Sequence, residues 1–287
     1  MIYFFEMTIK RFSSRDLVSV EEAYWNPQIL YHYTTRTGFL GILTTGKVWA
    51  TNIRYLNDSS EYIFALDSFK MKLEEIKERV DQEHKNILQD AIEKLDNLKP
   101  NYFVFCLSVS GDLLSQWRAY ANPGEGYSIG FDAPELDEII SKKRNQSLMP
   151  ICYSIKMMQE IFDDLEFKSV KEANAGRSDF GSVLANNFNT KWGAIFKDIS
   201  FREENEWRII YDGRALHPSR LKFRSGSSML IPYIEIDIKK KGKFLPVKEI
   251  IIGPNKHPEL EIESVTSLCK RLKIDPFIRI SEIPYRN

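Results

Sequence analysis

The 287-residue chain carries 40 basic and 40 acidic side chains, a balance that excludes a protein binding nucleic acid through a globally basic surface. Its 13% aromatic residues exclude an acidic, disordered chain, and its 43% hydrophobic residues are enough for a packed core. Three cysteines without CxxC spacing indicate a reducing compartment, and neither a disulfide framework nor a thiolate zinc site. Glu6 interrupts the apolar start and no apolar run approaches ~18 residues, so we expect a cytoplasmic protein without signal peptide or membrane span.

The first part of the chain alternates between short helices and short strands. A helix is predicted over 13–24, followed by a strand over 29–34 whose run Ile-Leu-Tyr-His-Tyr-Thr is aromatic and β-favouring. A short helix over 38–43 ends at Gly46, a typical C-terminal stop, and a second strand covers 48–51.

The segment over 59–98 is the most helical part of the sequence. Its apolar residues recur at steps of three and four in two sets, separated by a charged stretch. Asn57 offers a cap at the start and Pro100 ends the pattern. We therefore predict two consecutive amphipathic helices, inserted into a β-rich chain.

Beyond this insertion the period changes to that of strands. The patterns predict strands at 102–109, 127–131, 148–155, 206–211, 231–238, 250–252 and 277–280, and helices at 113–120, 156–197 and 258–273. This mixed order favours an α+β fold in a single domain over 1–287.

Three polar segments stand out against this framework. His32 lies inside the first strand, Ser108 lies near the end of the strand predicted over 102–109, and Glu204 and Glu206 lead into a later strand. Period-two geometry puts the two carboxylates on the same face of an extended chain. P-loop, GxGxxG, GxSxG and HExxH signatures are absent, and the four scattered histidines predict no metal site.

Together these segments resemble a bacterial family, domain-of-unknown-function family 2971. The resemblance rests on Leu-Tyr-His-Tyr-Thr-Thr, Phe-Cys-Leu-Ser, Ser-Gln-Trp-Arg-Ala-Tyr and Phe-Arg-Glu-Glu-Asn-Glu-Trp-Arg-Ile-Ile, and it extends from Tyr31 to Pro284. The layout of the family is in turn similar to that of the ADP-ribosyltransferases, including DarT-like toxins that modify nucleic acid. That similarity implies a split β-core with the helical pair as an insertion.

The resemblance also implies roles for individual residues. His32, with Tyr33 beside it, falls where an early-strand His or Arg contacts a ribose of NAD. Ser108, with Tyr120 as its rival, falls where a Tyr or Ser lines the nicotinamide pocket. Glu206 falls at the catalytic carboxylate.

Further residues complete the implied site. Glu204 would position or deprotonate the acceptor, and Arg118, Arg36 or Arg54 could pair with the pyrophosphate, because a guanidinium matches phosphate geometry. The implied function is NAD-dependent transfer of ADP-ribose to a protein or nucleic acid, in toxin, antiphage or stress biology, with an antitoxin as a further possible partner. No membrane partner is expected.

Two other functions stay open at this stage. One is a non-catalytic sensor or partner-binding module on the same fold. The other is a Mg²⁺-dependent nuclease that uses Asp58, Glu204 and Glu206.

The zero net charge conceals an asymmetry along the chain. Residues 57–141 hold 17 acidic and 8 basic side chains, a net charge of −9, whereas residues 216–287 hold 8 acidic and 14 basic ones, a net charge of +6. A basic C-terminal α/β extension over 216–287 could hold an acidic acceptor near the cleft, or its lysines could simply form a solvated turn.

Overall fold

The structure is a computed structural model that describes residues 26–56, 60–97, 99–121, 125–154, 192–240 and 245–284, with Ala185 and Phe188. Its helices are α1 (Arg36–Thr45), α2 (Ser60–Lys77), α3 (Gln82–Asn97), α4 (Leu114–Tyr120), α5 (Ala133–Ser141) and α6 (Pro258–Leu272). Its strands are β1 (Ile29–Thr34), β2 (Lys47–Asn52), β3 (Tyr102–Ser108), β4 (Tyr127–Asp132), β5 (Gln146–Pro150), β6 (Glu206–Asp212), β7 (Lys222–Ser225), β8 (Leu230–Asp237), β9 (Val247–Ile252) and β10 (Phe277–Ile280). The α+β prediction is confirmed.

The ten strands form one sheet that branches at β3. Along one edge β3 pairs antiparallel with β6 over its whole length, and β6 pairs in turn with β5. On its other edge β3 meets β2 at Phe103 and Val104 and meets β1 at Ser108. The sheet therefore forks beside Phe105–Leu107, with β4, β9 and β10 continuing from β1, and β8 and β7 continuing from β2.

Alternation along the strands divides the core between the two faces of the sheet. Phe103, Phe105 and Leu107 point to one face, where helices α1, α5 and α6 contribute to the core. Tyr102 and Val104 point to the other, where the helical pair covers the sheet. We call the first the α1 face. We call the second the hairpin face, after the pair of helices α2 and α3 that covers it.

The two amphipathic helices predicted over 59–98 are confirmed as the pair α2 and α3. Their buried residues recur at helical spacing and close over the sheet in one apolar cluster. Phe69 of α2 stacks on Phe188, with ring centroids 4.6 Å apart. The helical pair therefore belongs to the core of the molecule.

Local chemistry explains the ends of α1. Thr35 caps its first turn by accepting a hydrogen bond from the Gly38 N–H, and Gly46 ends it in the left-handed conformation, with φ of 67°. The predicted stop at Gly46 is confirmed. A β-carbon is disfavoured there because few L-residues adopt a positive φ.

Several predicted boundaries need correction. Helix α5 over Ala133–Ser141 is absent from the predictions, although Asp132 caps it and Pro134 opens it. Strand β5 covers Gln146–Pro150, and residues 151–154 do not continue it. The helix expected over 13–24 and most of the helical stretch expected over 156–197 lie outside the described residues. Among those described, no helix is long and apolar enough to cross a membrane.

Candidate functional site

Three of the polar segments singled out in the sequence lie on neighbouring strands. Tyr31 of β1 lies opposite Ser108 of β3, and Ser108 lies opposite Glu206 of β6. Residues paired across antiparallel strands point to the same face, so the three residues form a row on the hairpin face. The Tyr31 hydroxyl reaches along this row away from Glu206 and donates to Glu249 of β9 at 2.5 Å. Two strand spacings put the α-carbons of Tyr31 and Glu206 about 10 Å apart.

Glu206 lies in a dense ionic contact with two buried cations. Arg208 binds this carboxylate with two nitrogens of its guanidinium group, Nε to Oε1 at 2.6 Å and Nη2 to Oε2 at 2.9 Å. Lys197 Nζ reaches the same Oε2 at 3.1 Å. Glu206, Arg208 and Lys197 are 4%, 1% and 6% exposed, so water screens these contacts very little.

The cations decide the protonation state of Glu206. Burial alone would raise the pKa of its carboxyl, but the charges of Arg208 and Lys197 outweigh burial and hold that pKa well below its usual value. Glu206 is therefore a carboxylate at neutral pH, with its negative charge concentrated in a nearly dry environment.

Glu204 approaches the same cluster from the preceding 3-10 turn, Ile199–Glu204. Its Oε2 lies 2.5 Å from Lys197 Nζ, so this lysine bridges the two carboxylates. Asn205 joins the turn to β6 in the left-handed conformation, with φ of 44°. The Glu204 side chain is 23% exposed against 6% for that of Glu206, and so it is the carboxylate nearer to solvent.

Ser108 connects the row to this turn. Its Oγ donates to the Glu204 carbonyl at 2.7 Å and accepts from the Ser110 N–H at 3.1 Å. The hydroxyl is 3% exposed and satisfied by backbone groups on both sides. Ser108 therefore fixes the position of the two glutamates.

Other side chains complete the surroundings of Glu206. The Cys106 thiol hydrogen-bonds the carboxylate, and burial, followed by the charge of Glu206, raises the pKa of this thiol far above its usual value. Tyr153 Oη accepts a hydrogen bond from the Glu206 N–H at 2.9 Å. Tyr120 is 43% exposed, yet the pKa of its phenol is raised, first by burial and also by the nearby Glu204 and Glu206 charges. Both Ser108 and Tyr120 thus lie near the carboxylates.

The structure does not bring His32 to this cluster, which corrects the expectation of one shared cleft. His32 follows Tyr31 by one residue and points to the α1 face, with its ring 4.2 Å from that of Phe105. Its Nδ1 lies 2.9 Å from the Cys106 carbonyl oxygen, inside the fork between β1 and β3. Burial lowers the pKa of His32 to about 4, so its ring is neutral at pH 7 and donates to that carbonyl.

Tyr33 shares the hairpin face with Tyr31 and is occupied by local contacts. Its hydroxyl donates to the Ser110 carbonyl at 2.8 Å and accepts from the Leu113 N–H at 2.9 Å. Its ring meets Trp117 edge-to-face, with centroids 4.9 Å apart. Tyr33 therefore holds the segment after β3 against β1.

The three arginines considered for a pyrophosphate lie at the surface. Arg118 is exposed on α4, and Arg54 is exposed in the 3-10 turn after β2. Arg36 opens α1 and is held by Glu125 at 3.0 Å and by Glu261 at 3.5 Å. Binding of an anion by Arg36 would have to displace these carboxylates.

No group of three or more His, Cys, Asp or Glu side chains within the described part of the chain could hold a metal ion. Asp58, named for the nuclease alternative, lies outside that part. Glu204 and Glu206 instead have Lys197 between them.

Both cations of the cluster lie outside the residues predicted from the sequence. Arg208 follows Glu206 by two residues, and strand alternation puts the two side chains on one face, which is a usable signal. Lys197 carries no such signal, because it comes from a separate segment and reaches the carboxylates only through the tertiary fold.

Comparisons with known proteins agree with part of the sequence-based assignment. The model of a family described as a protein of unknown function (DUF2971) matches residues 116–209, about a third of the chain. The match includes Tyr120, Lys197, Glu204, Glu206 and Arg208. No curated protein and no solved structure matches the chain. The family match bears out the resemblance to domain-of-unknown-function family 2971 over residues 116–209, the part of the chain that the family model covers.

Proposed function

We propose that the protein is an NAD-dependent ADP-ribosyltransferase whose reaction centre is the row Tyr31, Ser108 and Glu206. The observation that carries this proposal is the register of β1, β3 and β6, which aligns the three motif-bearing strands side by side. A linear sequence spaces these motifs about 75 to 175 residues apart, and their alignment in one row is what a shared site requires.

The chemistry fits the carboxylate at the end of the row. Cleavage of the bond between nicotinamide and ribose passes through an oxocarbenium-like state, as in glycoside cleavage. A fixed carboxylate stabilises the positive charge that develops on the ribose, and it acts most strongly where water is excluded. Glu206 is ionised and nearly dry, and Arg208 fixes both of its oxygens.

The remaining residues have supporting roles in this proposal. Ser108 sets the distance between Glu204 and Glu206 through the Glu204 carbonyl. Glu204, the more exposed carboxylate, positions or deprotonates the acceptor. His32 is a positioning residue that holds β1 at the fork through the Cys106 carbonyl. Since Glu206 is only 4% exposed, binding of NAD requires side chains that cover it to move.

The two cations that bind Glu206 also favour a second candidate function. It is a module that binds a nucleotide or partner without cleaving NAD. Two cations already neutralise the two glutamates, which is also what a purely structural ion-pair network looks like. The described residues give no comparable support to the Mg²⁺-dependent nuclease.

Two measurements on the purified full chain separate the candidates. Titration calorimetry measures NAD binding, and chromatography of the reaction mixture measures release of nicotinamide. The transferase predicts both binding and release, and the module predicts at most binding. Absence of both, with and without added protein and nucleic-acid acceptors, would overturn the transferase proposal.

A further inference from the structure

A cavity of about 590 Å³ lies away from the candidate site, at the far end of β6. Its walls come from the turn between α5 and β5, from the 3-10 turn Pro218–Arg220, from β8 and from the beginning of β2. Five basic side chains and two acidic ones line it, which leaves the lining with three positive charges in excess.

Glu235 neutralises two of the cations only in part. It binds Lys47 Nζ at 3.0 Å through Oε2 and Lys222 Nζ at 2.6 Å through Oε1, so that one carboxylate serves two ammonium groups. All three side chains belong to the cavity lining.

The other three cations have neutral partners or none among the described residues. Lys143 Nζ donates to the Asp237 carbonyl at 2.6 Å, and Arg220 Nη1 donates to Tyr211 Oη at 3.1 Å. Arg144 makes no ion pair with any residue that the structure describes. Burial lowers the pKa of Lys143, and the charge of Arg220 lowers it further against the opposing effect of Asp237. Lys143 and Arg220 thus repel each other across this cavity, and an anion between them would relieve the repulsion.

Gln146 adds an unsatisfied polar group to the lining. Its side-chain amide oxygen is buried and has no hydrogen-bond partner among the described residues. An unpaired buried acceptor is costly, so a ligand that brings a hydroxyl or amino donor beside its anionic group would be stabilised here.

This cavity is separate from the Glu206 cluster. Tyr211 lies five residues beyond Glu206 on β6, about 17 Å along the strand, and its odd spacing turns it to the opposite face. A ligand in this cavity would therefore bind independently of the proposed transferase activity.

We propose that this cavity binds a small phosphorylated molecule of the size of a nucleoside monophosphate, with its phosphate held by Lys143, Arg144 and Arg220. Its volume falls in the range of small-molecule sites, and two guanidinium groups can hold phosphate oxygens bidentately. Gln146 accepts a hydrogen bond from the non-phosphate part of the ligand.

The test is titration calorimetry of the full chain at low ionic strength with four probes: inorganic phosphate, ribose 5-phosphate, adenosine 5′-monophosphate and adenosine. We expect the phosphorylated probes to bind and adenosine to bind at least about tenfold more weakly, with affinity that falls as salt is added. Preference for inorganic phosphate over both organic phosphates would assign the site to the free anion and overturn the role of Gln146.

The variants Arg144→Gln and Arg220→Gln should each weaken binding of the organic phosphates by about tenfold or more, which is the effect of losing one charge-assisted hydrogen bond. Arg144→Gln breaks no ion pair within the described structure, so it tests binding without a cost in folding. Arg271→Gln, an exposed change on α6, is the matched control and should bind like the wild type. Wild-type affinity in both cavity variants, or no binding of either organic phosphate by the wild type, would overturn the proposal.

Discussion

Ser108 of β3 lies directly opposite Glu206 of β6, and its hydroxyl donates to the carbonyl of Glu204 at 2.7 Å. This single side chain therefore touches both the strand and the turn that carry the two glutamates. The position of the carboxylates is set by pairing between distant parts of the chain, and the properties of the site follow from that pairing.

Ser108→Ala should destabilise the protein by about 1–2 kcal/mol and reduce nicotinamide release. The change leaves the partly buried Glu204 carbonyl and Ser110 N–H without their partner, and it releases the turn that holds Glu204. Urea denaturation and the release assay measure the two effects.

Ser128→Ala is the matched control for that change. Ser128 is also a fully buried strand serine, but its Oγ has no partner within the described structure. Its removal should be neutral or stabilising. Equal losses of stability in the two variants would contradict the role given to Ser108.

Arg208→Met should cost about 3–5 kcal/mol of unfolding free energy, because it leaves a buried carboxylate short of its bidentate partner. Denaturant titration measures this loss. The double variant Arg208→Met with Glu206→Leu should recover a large part of it, since both charges are then removed. Arg214→Met, which breaks an exposed pair with Asp212, should cost about 1 kcal/mol or less. A loss in Arg208→Met no larger than in Arg214→Met would show that the buried pair contributes little.

The buried histidine predicts a pH dependence of stability. The unfolded chain protonates His32 near its ordinary pKa of 6.5, whereas the folded chain protonates it only near 4. Between these values the unfolded state binds more protons, so stability is fully present above pH 6.5 and falls by up to about 3 kcal/mol as the pH drops to 4. Denaturation at stepwise pH measures this slope.

His32→Gln should remove most of that slope, because glutamine keeps a donor for the Cys106 carbonyl but does not titrate. The exposed His257→Gln serves as the control and should keep it. Loss of stability below about pH 4.5 has a different origin, the depressed pKa of Glu206, and should persist in both variants. An unchanged slope between pH 6.5 and 4 in His32→Gln would contradict the burial of a neutral ring.

Phe69→Ala should destabilise the protein by about 3–5 kcal/mol, because Phe69 is buried between α2 and the sheet and stacks on Phe188. Met71→Ala on the same helix removes a 74% exposed side chain and should change stability by less than about 0.5 kcal/mol. Thermal or chemical denaturation compares them. A near-neutral Phe69→Ala would contradict the packing of Phe69 in the apolar cluster of the hairpin face.

The elements carrying the site could be predicted from local sequence, but their register could not. Aromatic and β-branched runs mark β1, β3 and β6, since these side chains suit a buried strand. Which residue of β3 lies opposite Glu206 depends on pairing across nearly 100 residues of chain, and a slip by one residue would turn every side chain to the other face.

Alternation also explains the placement of His32. The pattern of β1 puts Leu30 and His32 on one face and Tyr31 and Tyr33 on the other. Only the pairing of Tyr31 with Ser108 reveals that Glu206 shares the second face. The motif around His32 therefore identifies strand β1 correctly, but the residue of β1 that lies in the row is its neighbour Tyr31.

Helix α5 was not predicted, although the signals for its first turn are present in the sequence. Asp132 caps the first turn by accepting from the Glu135 N–H at 2.8 Å, and Pro134 follows it. Lys197 has no such local signal, and its position between Glu204 and Glu206 comes from the tertiary fold alone.

The most direct test of the proposed function is the release of nicotinamide from NAD by the wild type, Glu206→Gln and Glu203→Gln. Glu203 is an exposed neighbour on the same turn and is the matched control. We expect Glu206→Gln to lose release by about a hundredfold or more, as for loss of a charge that stabilises a transition state, with NAD binding retained and Glu203→Gln unaffected. Wild-type release from a folded Glu206→Gln would contradict the assignment of Glu206 as the catalytic carboxylate.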